Sequence, residues 1–489
     1  METTQIHTQY GELQGIREHG AVIWKGVPFA EPPVGELRFQ APRPPQPWQG
    51  VKEALHFGPI APQPVYEGAS MFGSGSEPPV QSEDCLYLNI WASDKSTQKR
   101  PVMVWIHGGS FVTGAGSIPL YDGTSLAVNG DMIVITINYR LGPFGFLNLS
   151  SYGDDYHSNV GLLDQIAALE WIKNNIEAFG GDPERITVFG ESAGAMSIAS
   201  LLAMPAAKGL FQSAIMQSGA AQVMPTEVSR QIADGFVQAL GVGEQDLSKL
   251  YTASTEEILQ AGNRVSQMLD NGTWALLFQP TIHPHTLPVE PIQAIKDGSA
   301  KHIPLIIGTN LEEGTLFFNQ PTQLMSETQI VNIVQALLGE DPHGLSKQYP
   351  LTVRGHADLM TDLFFWRSAL QCAEAQIGHA PVWMYRFDWC QPGHPLLGTA
   401  THGAEIAFAF NNLPLFAHLG LEIDEDTYNL AEQMQAAWIN FAHNSMPVTS
   451  NLPWSDYDLK ERSTMVFNRQ LNVVHDPESE KRQQLISYS

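Results

Sequence analysis

A short apolar run, Ile186-Thr187-Val188-Phe189, leads straight into Gly190-Glu191-Ser192-Ala193-Gly194, and Ala193 to Met204 then reads as a helix stopped by Pro205. A strand that becomes a helix within five residues leaves no room for side chains on either side of the turn, so glycines flank it. The serine between them is forced into a strained backbone, and its hydroxyl stands clear of the sheet over a helix N-terminus. The same pentapeptide could serve as a plain strand-to-helix turn. The flanking strand and helix favour an exposed nucleophile.

The same alternation runs through the chain. Val102-Met103-Val104-Trp105-Ile106 is a second apolar run, stopped by Gly108-Gly109, and Met132 to Ile137 is a third. Unbroken apolar runs of this length suit strands covered on both faces, as in parallel sheets. Leu162, Ile166, Leu169, Ile172 and Ile176 recur at helical spacing, with a stop at Gly180-Gly181 and Pro183 beyond. Pro304 to Ile307 and Val382 to Tyr385 are later strands, and Leu430, Met434, Trp438 and Phe441 share one helical face. The expected class is α/β, a mainly parallel mixed sheet flanked by helices, with reactive groups beyond the carboxyl ends of the strands. Residues 1–489 are expected to form one unit. Roughly 1–330 carry the Gly-Glu-Ser-Ala-Gly turn and 331–489 complete the sheet and cover the site. The Pro/Gly-rich stretch 57–80, with Pro59, Pro62, Pro64 and Gly73–Gly75, reads as a surface loop.

Charge narrows the partners. Lys plus Arg is 26 against 51 Asp plus Glu, a formal net charge of −25. Such a surface repels phosphate backbones, so no nucleic acid is expected, nor a polybasic membrane anchor. No run of ~18 apolar residues occurs, so no membrane span is expected. Met1-Glu2-Thr3-Thr4-Gln5 lacks the features of a secretory leader. Cys85, Cys372 and Cys390 are too few and too scattered for a disulfide scaffold. Reduced thiols in a cytoplasmic protein, a monomer, are the expectation. The sequons at Asn148 and Asn271 read as chance matches.

A hydroxyl at its free pKa is a poor nucleophile and needs a base and an oxyanion site. His107-Gly108-Gly109 follows the strand ending at Ile106, and adjacent glycines can aim two N–H groups at one oxygen. The N–H of Ala193 adds a third donor. Downstream, Glu312 and Glu313 follow a strand and could supply an acid; His402, in a Gly-rich loop, could supply the base, with His394 as a rival. Such a base would give activity rising with pH through about 6–7, the ordinary imidazole range. Phe317, Phe318, Phe364, Phe365 and Trp366 could line a substrate pocket or serve as core. His283-Pro284-His285 reads as a solvated loop because no third ligand is near, so no metal is expected. Gly114-Ala115-Gly116 lacks the context of a nucleotide loop, and the chemistry needs no organic cofactor.

Eight stretches, in order, resemble the type-B carboxylesterases, the family that includes the cholinesterases, in its bacterial branch. They are Lys25-Gly26-Val27-Pro28-Phe29-Ala30 with Arg38-Phe39; Ser82-Glu83-Asp84-Cys85-Leu86; Trp105 to Gly109; Asn138-Tyr139-Arg140-Leu141-Gly142; Asn159 to Gln165; Phe189 to Gly194; Glu312-Glu313-Gly314; and His402-Gly403-Ala404-Glu405. The resemblance implies an α/β-hydrolase fold and a serine esterase acting on small to medium uncharged carboxylic esters through an acyl-serine. It implies Ser192, Glu313 and His402 as catalytic triad and Gly108, Gly109 and Ala193 as oxyanion hole. It further implies Arg38–Glu83 and Arg140–Asp164 as structural ion pairs, and Ser218 as a hydrogen-bonding support of the triad acid. Relatives with a disulfide pair the cysteine of the Glu-Asp-Cys-Leu stretch upstream; here residues 57–63 hold no partner for Cys85.

Overall fold

The computed structural model describes residues 2–64, 79–95, 99–153, 156–243, 247–269, 276–320, 324–339, 341–447 and 453–486. The Gly73–Gly75 stretch and the Asn271 sequon lie outside them. Among the described residues, thirteen strands form one sheet: β1 (Glu2–Thr8), β2 (Gly11–Glu18), β3 (Ala21–Pro28), β4 (Val51–Glu53), β5 (Tyr87–Ser93), β6 (Arg100–Ile106), β7 (Ile133–Ile137), β8 (Gly181–Glu191), β9 (Ser213–Gln217), β10 (Leu305–Asn310), β11 (Val382–Phe387), β12 (Ser463–Phe467) and β13 (Asn472–His475). Their order is β1-β2-β3-β5-β7-β6-β8-β9-β10-β11-β12-β13, with β4 beside β2. From β7 to β12 every neighbouring pair is parallel; the flanking pairs in that order are antiparallel, and β4 runs parallel to β2. This is the expected mixed, mainly parallel sheet.

The central strands carry apolar stretches, Val102–Ile106 in β6 and Ile133–Ile135 in β7, because helices cover both faces. Along β6, Val102, Val104 and Ile106 enter one core with Leu169 and Ile172 of the helix Val160–Asn175. Met103 and Trp105 point the other way, into a second core with Phe189 and with Trp438 of the helix Glu425–Asn444. That is the period-two alternation of a strand with both faces buried. Trp105 meets Phe189 at 4.8 Å and Phe410 at 5.0 Å between ring centroids. Gly180 closes the helical segment at φ 84°, as its sequence position predicts. The strand after it begins earlier than expected, at Gly181, and carries Pro183 within it.

Two buried ion pairs tie the loops to this frame. Arg140 grips Asp164 in a two-pronged contact, with Nη2–Oδ1 at 2.6 Å and Nε–Oδ2 at 2.8 Å, both side chains at most 2% exposed. Arg38 grips Glu83 in the same way, at 2.7 and 2.8 Å. Removing one partner strands a buried charge, so Asp164→Ala is expected to cost about 3–5 kcal/mol of stability. Urea unfolding measures it, and a loss below ~1 kcal/mol would contradict the structural reading of this pair. All three cysteines are free; Cys85 and Cys372 are buried and Cys390 is half-buried. Asn148 is buried and donates from its side chain to Ser229 Oγ at 3.0 Å.

Candidate active site

Ser192 sits between β8 and the helix Ala193–Ala203 with φ 54° and ψ −121°. A non-glycine residue at positive φ stores strain that the surroundings must hold. They do so tightly. The Ser192 N–H donates to the Gln217 carbonyl at 2.9 Å, and the Ser192 carbonyl accepts from the Met196 N–H at 2.9 Å. A Cβ on Gly190 would lie 2.6 Å from the Ile106 carbonyl oxygen, and one on Gly194 only 1.9 Å from it. Both flanking glycines are therefore required by the end of β6.

That same strand end delivers His107-Gly108-Gly109. A Cβ on Gly108 would come within 3.1 Å of Ser192 Cβ and 2.7 Å of Glu191 Oε2, so this loop lies against the sharp Gly190–Gly194 turn, the elbow between strand and helix. His107 is held within its own loop. It is buried, stacks on Tyr139 with centroids 4.4 Å apart, and pairs its Nδ1 with the Gly108 carbonyl at 2.8 Å. Burial pushes its pKa down to about 4.

His402 reaches the same place from the loop beyond β11. Its Nδ1 lies 2.6 Å from Glu313 Oε2 and its Nε2 lies 3.1 Å from Glu191 Oε1, next door to Ser192. Its Nε2 edge therefore faces the elbow. Glu313 is fully buried, and its Oε1 accepts from the Asn310 N–H at 2.7 Å. Glu312 turns away. It pairs with Arg354 at 2.5 Å and accepts from the Ala400 N–H at 3.2 Å. His394 also lies elsewhere, bonding the Leu419 carbonyl at 3.0 Å.

The expected support from Ser218 is not made. Ser218 Oγ is buried without a hydrogen-bond partner, and the Asn310 N–H holds Glu313 instead. Ser218 has φ 52°, and a Cβ on Gly219 beside it would lie 2.4 Å from the Ser192 carbonyl oxygen. Its turn packs under the Gly190–Gly194 turn instead of bonding Glu313. Among the five aromatic candidates, Phe365 and Phe317 lie against the His402 ring at 4.7 and 5.3 Å. Phe318 packs on His356, Phe364 edges onto Phe365, and Trp366 packs on a separate small core. The backbone there forms a π-helical turn, Thr361–Trp366, and Gln222 Nε2 donates to the Phe364 carbonyl at 2.6 Å. His283 and His285 are neighbours at 5.6 Å, and among the described residues no three His, Cys, Asp or Glu side chains are grouped to hold a metal.

Sequence reasoning missed two carboxylates. Glu191 and Glu405 are at most 2% exposed, and both join Glu313 around one imidazole. Glu405 accepts from Gln217 Nε2 at 3.2 Å and Asn310 Nδ2 at 2.6 Å. Both residues stood in quoted stretches, beside Ser192 and three after His402, but spacing alone gave them no role. Burial pushes Glu191 well above the usual carboxylate range, with His402 opposing and Glu405 and Glu313 adding to the rise. Burial and Glu313 raise Glu405 to about 7, against the Asn310 hydrogen bond and His402. Burial alone would lower His402, but Glu191, Glu313 and Glu405 outweigh it and carry the imidazole well above its ordinary value.

Residues 2–486 match the model of the carboxylesterase family. The chain is 48% identical over 482 residues to para-nitrobenzyl esterase of Bacillus subtilis (strain 168), covering 98% of each chain. It is 36% identical to phenmedipham hydrolase of Pseudarthrobacter oxydans, covering 94% of each. Among solved structures, a thermophilic PNB esterase superposes with a TM-score of 0.96 at 46% identity, over 99% of this chain and 100% of that one. Carboxylesterase EST55 of Geobacillus stearothermophilus superposes with a TM-score of 0.87 at 36% identity, over 99% and 100%. With the elbow, the glycine loop and the buried imidazole assembled on an α/β-hydrolase sheet, the chain belongs to the carboxylesterase family and is a carboxylic ester hydrolase.

Proposed function

We propose that the protein hydrolyses small to medium uncharged carboxylic esters through an acyl-serine intermediate on Ser192. The observation that carries this reading is the buried contact of 2.6 Å between His402 Nδ1 and Glu313 Oε2, with Nε2 3.1 Å from Glu191, the residue before the strained serine. His402 Nε2 takes the Ser192 proton as Oγ bonds to the ester carbonyl carbon. The carbonyl oxygen gains the negative charge and is held by the N–H groups of Gly108, Gly109 and Ala193, each worth about 2.7–4 kcal/mol in the transition state. His402 passes the proton to the leaving alkoxide as the carbon–oxygen bond breaks. Water then attacks the acyl-serine by the same route, releasing the acid and restoring the serine. Glu313 fixes the imidazole with its proton on Nδ1 and stabilises the cation formed in each half.

Substrate charge follows from the surroundings. Three buried carboxylates face the imidazole, and among the described residues no lysine or arginine pairs with them. An acyl group bearing its own carboxylate would lose its hydration there with no fixed cation to replace it. An ester panel tests this. Neutral short and medium acyl chains should be turned over fastest, and a hemisuccinate ester at least ~10-fold slower than its neutral isostere. Preference for long chains with activation at an oil–water interface would point to a lipase instead. The three unpaired thiols support the cytoplasmic placement. Among the described residues no helix is long and apolar enough to cross a membrane.

The carboxylate ring also revises the pH expectation. His402 must lose its proton to act as base, so activity rises as pH rises through its pKa. Because the surrounding carboxylates raise that pKa, the acid limb of kcat/KM should lie above the ordinary imidazole value of about 6.5. A rate profile from pH 5 to 10 measures it; a limb at or below pH 6 would contradict the electrostatic picture.

A further inference from the structure

Asn310 ends β10 and is 1% exposed. Its backbone N–H donates to Glu313 Oε1 at 2.7 Å. Its side-chain Nδ2 donates to the Thr401 carbonyl at 2.7 Å and to Glu405 Oε2 at 2.6 Å. Both side-chain partners are acceptors, so only the amide nitrogen can face them, and both of its protons are used. Thr401 is the residue before His402. One short side chain thus pins the peptide that carries the imidazole to the strand end whose N–H holds the acid.

This arrangement has a cost. Asn310 Oδ1 is buried without a hydrogen-bond partner. Unpaired buried acceptors are rare, and packing alone does not account for one here. The third contact reaches the electrostatics. Glu405 rests on two amides, Asn310 through Oε2 and Gln217 through Oε1, and Gln217 also accepts from Trp438 Nε1 at 3.1 Å. The Gln217 carbonyl receives the Ser192 N–H. A continuous set of hydrogen bonds therefore runs from the serine turn through Gln217 and Glu405 to Asn310, and on to Glu313 and His402.

We propose that Asn310 is a positioning residue for the esterase reaction. It sets His402 against Glu313 through Thr401, and it holds the negative charge of Glu405 beside the imidazole. The proposal rests on the reading of Ser192, Glu313 and His402 as nucleophile, acid and base. The groups facing His402 are Glu191, Glu313 and Glu405, with the rings of Phe317 and Phe365. Those facing Glu405 are Gln217, Asn310, Glu191, Glu313 and His402, and the hydroxyls of Tyr121 and Tyr385 lie within its field.

Two variants of the full chain separate positioning from mere packing. Asn310→Leu keeps the volume but removes both donors. Glu405 then takes up a proton, one negative charge facing His402 is lost, and the acid limb of kcat/KM moves to lower pH. Asn310→Asp keeps the shape but places a second carboxylate against Glu405. The pair shares one proton and keeps one negative charge at every pH of the profile, where Glu405 alone, raised to about 7, is partly protonated, so the limb moves to higher pH. In both, kcat per active site, titrated with an organophosphate, should fall by about 100-fold with KM within about threefold, the signature of a misplaced catalytic group.

Opposite displacements of the limb with reduced kcat support the proposal. Limbs unmoved in both variants, or kcat within twofold of the parent, overturn it. Loss of the native fold in both also overturns it, because the residue would then be structural. The underlying reading fails separately. Organophosphate bound elsewhere than Ser192 in the unaltered protein rejects the triad assignment, whatever the Asn310 variants do.

Discussion

Ser192→Ala should lower kcat by about 10⁵–10⁶-fold, as removal of the serine does in a well-studied serine hydrolase. The size follows from what is lost. Without Oγ there is no acyl-enzyme, and what remains is the oxyanion site acting on direct attack by water. The fold should survive. Alanine replaces serine with the loss of one oxygen, and the backbone at φ 54° is held by the Gln217 carbonyl and the Met196 N–H, which the substitution leaves in place. The melting temperature should therefore stay within about 2 °C, since no buried partner is orphaned. Steady-state kinetics on a neutral ester, with thermal unfolding alongside, make the test. Activity within tenfold of the parent in a folded variant would remove Ser192 from the mechanism.

Glu313→Gln should cost about 10³–10⁴-fold in kcat, while Glu312→Gln should leave it within about threefold. The two glutamates are adjacent but face different neighbours. Glu313 is fully buried against the imidazole, so in the proposed mechanism its loss removes the charge that stabilises the imidazolium in both half-reactions. Its neutral amide can still accept from the Asn310 N–H, so the local backbone should hold. Glu312 pairs with Arg354, whose side chain is 58% exposed, and a pair open to solvent contributes little. The acid limb should also move to lower pH in Glu313→Gln, because one of three carboxylates raising His402 becomes neutral. The reverse ranking of the two variants would show that the acid is misassigned.

The parallel centre of the sheet was legible because β6, β7 and the second half of β8, from Ile186, are buried on both faces, and such segments read as apolar runs. The N-terminal strands were not. β1 reads Glu-Thr-Thr-Gln-Ile-His-Thr at a sheet edge, where solvent accepts polar residues and no periodic apolar signal is needed. In the site, the elbow announced itself through steric demand, since the glycines are imposed by the end of β6. The acid and base came from the family resemblance, because residues 89 positions apart meet only in the folded chain. Glu191, Glu405 and Asn310 stayed silent for a similar reason. Whether a carboxylate is buried beside an imidazole is a property of packing between loops, and no spacing in the sequence encodes it. Ser218 marks the opposite error, a polar residue of plausible position whose hydroxyl makes no bond to the acid.

The central claim is that Ser192 is the nucleophile of a buried Ser-His-Glu arrangement. Its most direct measurement is peptide mass spectrometry after treating the unaltered protein with an organophosphate. One adduct per chain is predicted, on the peptide carrying Gly190-Glu191-Ser192-Ala193-Gly194, appearing in step with the loss of esterase activity. Complete inactivation with the adduct on another residue, or full labelling of Ser192 with activity retained, would contradict the claim.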